Sequence, residues 1–217
     1  MKKAIYFGLL LLLAGSFGAW IQASGDSVAA VNQLQKRWAK VNYQLQDKPQ
    51  REAFEQLLGD VEKALLEFPK DAPLLIWSGI IKSSYAGAKG GLGALKYAKA
   101  SKVDLEKAIA LDATALDGSA YTSLGTLYFK VPGWPIGFGS DKKAKELLTK
   151  ALQINPGGID PNYFYAEYLR ENGEYTEAER YLRKAQQARP RIDRPVADQG
   201  RQQDISVALA EVQKKLK

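Results

Sequence analysis

Residues 165 to 190 read YAEYLRENGEYTEAERYLRKAQQARP. Small and apolar side chains recur at helical spacing on both sides of Asn172-Gly173: Ala166 and Leu169 before it, and Ala178, Leu182 and Ala185 after it. Such spacing puts each set on one helix face. Asn-Gly supplies the left-handed residue that ends a first helix, and Pro190 lacks the N–H that would extend a second. The stretch therefore reads as two helices folded back on each other.

The second of these helices has counterparts along the chain. VEKALLEFP (61–69), LEKAIALDA (105–113), LTKALQINP (148–156) and LRKAQQARP (182–190) each begin with an aliphatic residue, carry Lys-Ala at the third and fourth places, and end in Pro or Ala. The shared alanines are Ala64, Ala108, Ala151 and Ala185. Ahead of the last three segments lies another helical stretch with a small residue at a similar place, Gly79, Gly125 and Ala166 in turn. Helix pairs that cannot bury their faces alone stack into a solenoid. The expected fold is all-α: a single repeat domain over 24–217, with units at about 27–69, 71–113, 117–156 and 159–190. A final helix at about 198–217, apolar along Ile205, Leu209, Val212 and Leu216, would cap the last unit. The residues of the last unit resemble the tetratricopeptide repeat, so the solenoid is expected to be tetratricopeptide-like.

The spacing of the alanines exposes the irregular parts. Ala151 and Ala185 are 34 residues apart, the tetratricopeptide period, whereas the two earlier intervals are 43 and 44. The excess has to be loop or lengthened helix. In the third unit it falls on Val131–Gly139, VPGWPIGFG, between the two helices. In the second it coincides with Tyr85–Gly93, YAGAKGGLG, which reads as another glycine-rich connection.

VPGWPIGFG is apolar where a surface loop is usually polar. Half of the 22 aromatic residues lie between Tyr121 and Tyr181, and most of these sit at helical spacing and read as repeat core. No helix explains Trp134, Ile136 and Phe138. Either they fold back as a plug over the groove between helices, or they form a contact surface for a ligand or partner. These three, with Tyr128, Tyr163 and Tyr85, are the candidate contact residues.

Composition removes most chemistry. The 217 residues include no His and no Cys, which excludes imidazole bases, thiol nucleophiles, Cys/His zinc sites and disulfides. Ser140-Asp-Lys-Lys143 matches a Ser-x-x-Lys pattern, but Ser140 opens a helix after Gly139 and reads as an N-cap. The Gly87–Gly93 run lacks the Gly-Lys-Ser/Thr ending and the preceding strand of a phosphate loop. The carboxylate pairs Glu167/Glu171 and Asp112/Asp117 read as solvated helix ends. No catalytic residue, cofactor or metal is expected.

The formal charge of +7 does not point to nucleic acid. Residues 183–217 carry nine Lys or Arg against four Asp or Glu, whereas residues 24–182 balance at 20 of each. The body therefore offers no basic track for a phosphate backbone. The basic end reads as solvated helix face, or as a contact for an acidic partner or lipid headgroups.

The chain opens MKK and runs apolar from residue 4 to residue 21 before QASGDS. That is the pattern of a secretory signal over 1–23, with an uncleaved anchor as the alternative. Without Cys, no lipoprotein anchor is expected, and the location expected is a bacterial periplasm.

Three stretches, YAGAKGGLG (85–93), LDGSAYTSLGTLYFKVPGWPIGFGSDKKAKELL (116–148) and INPGGIDPNYFYAEYL (154–169), resemble the exported tetratricopeptide proteins associated with TRAP transporters, the T component. The resemblance implies a non-enzymatic, all-helical module that self-associates, docks a periplasmic solute-binding subunit and handles a hydrophobic ligand. Members of that family are often lipoproteins, and this chain has no Cys. A structural adaptor in envelope assembly, with no small-molecule pocket, is the alternative.

Overall fold

The computed structural model describes residues 13–217, with side chains from residue 26 onward except Leu92. Most of the expected export signal, 1–23, lies outside the described residues. The described residues form helices α1 (Leu13–Gln44), α2 (Asp47–Glu67), α3 (Ala72–Lys89), α4 (Gly91–Leu111), α5 (Ala115–Lys130), α6 (Asp141–Ile154), α7 (Ile159–Glu171), α8 (Tyr175–Gln186) and α9 (Pro195–Leu216), with no strand among them. None of these helices is long and apolar enough to cross a membrane.

Local chemistry sets the starts and stops. Asp71 accepts from the Leu74 N–H at 2.8 Å to open α3, and Ser140 accepts from the Lys143 N–H to open α6. Gly173, at φ 78°, turns the chain between α7 and α8, and the Glu174 N–H returns to the Leu169 carbonyl at 2.9 Å.

The repeated residues form the hairpin interiors. Val61, Leu105, Leu148 and Leu182 are all fully buried, as are Ala108, Ala151 and Ala185. Each leucine of the two middle units rests where the facing helix carries only hydrogen. A Cβ on Gly125 would stand 2.7 Å from Leu148 Cγ, and one on Gly79 would stand 2.5 Å from Leu105 Cγ. Ala64 of the first unit is half-buried.

One of the two inserts takes the expected form. Val131–Gly139 is a loop, whereas the glycine-rich run at 85–93 is helical up to Lys89 and again from Gly91. Only Gly90, at φ 62° and ψ −177°, separates α3 from α4. The excess in that unit is lengthened helix, of 18 and 21 residues against 13 and 12 in α7 and α8. Gly87 costs about 1 kcal/mol of helix propensity. The edge-to-face packing of Tyr85 on Tyr97, with centroids 4.6 Å apart, helps to offset it.

The last helix does more than cap. It packs on α8 and α7 and also meets α1, and α1, α3, α5 and α7 touch in succession. The five helices α1, α3, α5, α7 and α9 thus close into a ring. Tyr43 of α1 seats against Gly200 of α9, where a Cβ would collide with the ring carbons, and the Tyr43 hydroxyl donates to Asp204 at 3.3 Å.

Candidate functional site

The ring helices border a partly open cavity of about 1160 Å³, somewhat above the range of small-molecule pockets, roughly 300–1,000 Å³. Much of its lining is apolar and includes Ile80, Leu95, Leu127 and Phe164. One part of the wall is strongly polar and is built where α7 and α9 begin.

At that polar wall Asp160 is the hub. Arg191 donates to its Oδ2 at 2.6 Å and Arg201 to its Oδ1 at 2.9 Å. Arg191 also binds Asp198, and Arg201 binds Asp204 at 3.0 Å. Burial works against the Asp160 carboxylate, but the guanidinium groups of Arg201 and Arg191 outweigh it and hold its pKa well below the usual carboxylate range. Arg201 lies over the rings of Tyr163 and Phe164, 4.4 and 4.6 Å from their centroids.

A left-handed turn borders the same space. Leu116, Asp117 and Gly118 have φ of 48°, 55° and 74°, a run costing on the order of 1–2 kcal/mol per non-glycine residue. The loop before it is fixed by Asp112, whose carboxylate accepts from the Thr114 N–H and hydroxyl at 2.8 Å and from the Ala115 N–H at 3.1 Å.

The insert forms the rim. The Gly139 N–H reaches the Pro132 carbonyl at 3.0 Å, the Gly137 N–H reaches Gly133 at 3.0 Å, and the Ser140 N–H reaches Tyr128 at 2.8 Å. The loop is therefore shaped by its own backbone. Phe138 turns inward onto Tyr128, edge to face at 5.5 Å, while Trp134 and Ile136 remain 89% and 69% exposed.

The six sequence candidates are thus dispersed. Ile136 borders the cavity. Trp134 projects from the rim, and Phe138 is half-buried against the core. Tyr128 and Tyr85 are buried core residues, Tyr85 donating its hydroxyl to Glu55. Tyr163 lies beneath Arg201. The residues that shape the polar wall, Asp160, Arg191, Arg194 and Arg201, were not among the candidates. Arg191, Arg194 and Arg201 fall in the basic stretch 183–217, which reads as solvated helix face, and Asp160 lies outside it.

The residues weighed for chemistry have structural roles. Ser140 caps α6, Asp112 fixes the turn before α5, and Glu167 pairs with Arg170 at 2.8 Å. Among the described residues no acidic group is arranged to hold a metal ion.

The family model described as "Tetratricopeptide repeat" matches residues 142–198, that is, α6 through the first turn of α9. The fold is a tetratricopeptide-like array. Arrays of this kind are in general protein-binding modules, offering extended concave faces. No curated protein matches the sequence. Two solved structures described as MamA resemble the chain: one at 18% identity and TM-score 0.45 over 77% of this chain and 91% of the other, the second at 16% and 0.44 over 84% and 92%. A structure of Pseudomonas aeruginosa pilF aligns at 16% identity and TM-score 0.36 over 88% of this chain and 92% of the other.

Proposed function

We propose that the chain is a non-enzymatic module, exported to a bacterial periplasm, that docks a protein partner at the insert rim and handles an apolar ligand inside the ring. The observation that carries this reading is the pairing of two features: a partly open, largely apolar cavity of about 1160 Å³, and a preformed loop at its rim presenting Trp134 and Ile136. A tryptophan on a backbone already ordered is an efficient anchor, because little conformational entropy is lost on binding. The resemblance to the T component supplies the partner class, the solute-binding subunit of a TRAP-type transporter, with self-association as a second use of the same tip. The cavity weighs against the adaptor reading, which has no need of one.

A photo-crosslinking residue placed at Trp134, with one at the exposed Leu66 of α2 as control, tests the docking in the exporting bacterium. Crosslinks to a solute-binding subunit from position 134 and not from 66 support the reading. Equal yields from both positions, or none from 134, overturn it. Fractionation of the same cells checks the periplasmic location.

A further inference from the structure

The cavity wall holds a partly buried cation that the ion-pair network leaves out, whereas Arg189 and Asp193, which also line the cavity, are exposed and opposite in charge. Arg191 and Arg201 take up Asp160, Asp198 and Asp204, and Asp71, on the same wall, is committed to capping α3. Arg194 also lines the cavity. Its Nε is buried without a hydrogen-bond partner among the described residues, and its guanidinium carbon lies 5.2 Å from the centroid of Trp77. Burial, and then the neighbouring Arg191 cation, push its pKa below the ordinary arginine value despite the aspartates nearby.

Trp77 is the second observation. It also lines the cavity and is only 2% exposed, yet its indole N–H has no partner among the described residues. The contrast with Trp38, 5.6 Å away, is direct, since that indole donates to Ser84 at 2.9 Å. Unpaired buried donors are uncommon because each one costs the desolvation of the group. Two buried donors on residues that line the cavity, one of them part of a charged group, therefore lack an acceptor among the described residues.

We infer that the ring interior binds an amphiphile with a single anionic head, a carboxylate, held by Arg194 and Trp77, with its apolar tail along Ile80, Leu95, Leu127 and Phe164. One unpaired guanidinium matches one negative charge, whereas a phosphate monoester brings nearly two. A guanidinium presents a planar fork of donors suited to carboxylate oxygens. The inference rests on the ligand-handling half of the proposal above and adds the chemical class of the ligand.

Calorimetric titration of the full chain with decanoate and with decan-1-ol separates the possibilities. The two probes share a tail and differ in the head. Decanoate is expected to bind at least about tenfold tighter than the alcohol, the effect of a charge-assisted hydrogen bond. Arg194→Leu should bring decanoate down to the affinity of the alcohol and leave the alcohol unchanged, and Arg194→Lys should keep part of the preference. Trp77→Phe preserves the ring and removes the N–H, and a loss of a few-fold for decanoate alone is expected. Equal binding of both probes to the unchanged chain would overturn the inference and leave the ligand-handling reading standing. Binding of neither overturns both. Should Arg194→Leu weaken both probes alike while the thermal melt is unaltered, Arg194 shapes the cavity and does not select the head.

Discussion

At the α5–α6 hairpin a leucine sits against a glycine. At the seam where α9 meets α7 and α1, two arginines sit among three aspartates and a tyrosine ring sits on Gly200. The first contact is apolar, local in sequence and repeated, with Gly79 and Leu105 making the same fit one unit earlier. The second is polar, unique and long-range. Packing of the first kind builds an array from any number of units, whereas the second turns this array into a ring with an inside. The cavity depends on both, so the two seams can be broken separately.

The hairpin should give the larger effect. Leu148 is fully buried, and Leu148→Ala is expected to cost about 3 kcal/mol in urea unfolding. Gly125→Ala should cost about 1–2 kcal/mol from overpacking. The double variant should lose clearly less than the sum, because removing the leucine removes the obstacle. Additivity would show that the two residues do not meet as described.

At the closure seam, Gly200→Val is expected to cost about 2 kcal/mol, since a Cβ there collides with the root of the Tyr43 ring. Its signature is spatial. Hydrogen exchange should quicken at the end of α1 and the start of α9 while α5 and α6 keep their protection. If exchange rises equally in all four, closure and repeat packing form one cooperative unit and the distinction between the seams fails.

The two seams also differ in how far the sequence disclosed them. Lys-Ala spacing, the small residues Gly79, Gly125 and Ala166, and the closing prolines give the hairpins away, because the same physical fit recurs at intervals that can be counted. Closure has no period. Asp160 meets Arg191 and Arg201 at separations of 31 and 41 residues, and Tyr43 meets Asp204 across 161. A charged residue that faces an interior is, in sequence, indistinguishable from one that faces water. The same limit applies to the candidate site, where aromatic residues drew attention and arginines did the enclosing. Trp134 was recognisable because no helix accounts for it. The helical character of 85–93 was hidden by glycines that packing tolerates.

Asp160 tests the ionic part of the seam. Asp160→Asn should cost about 1.5 kcal/mol at neutral pH, below the roughly 3–5 kcal/mol of a fully buried pair because the carboxylate is partly exposed. Its folded pKa lies below its unfolded value, so its contribution is complete above the ordinary aspartate range, about 3.9. That contribution is lost as the pH falls below that range. Acid titration of stability should therefore be shallower in the variant, and identical acid slopes in the two proteins would remove Asp160 from the closure.

The smallest effect at neutral pH belongs to the Tyr43 hydroxyl. Its bond to Asp204 is long at 3.3 Å, so Tyr43→Phe should cost less than about 1 kcal/mol while the ring stays on Gly200. Alkali amplifies it. Burial, aided by Asp204 and opposed by Arg201, pushes the Tyr43 pKa up from 10.0 to about 12. A group that holds its proton more tightly when folded stabilises the protein below its unfolded pKa, and that stabilisation drains away between pH 10 and about pH 12. Tyr43→Phe should lack about 2–3 kcal/mol of the alkaline loss, the equivalent of that shift. Subtracting the variant's pH profile from the parent's cancels the other buried tyrosines. If the variant instead loses as much as Gly200→Val at neutral pH, the hydroxyl and not the ring holds α1 to α9, and the seam is polar throughout.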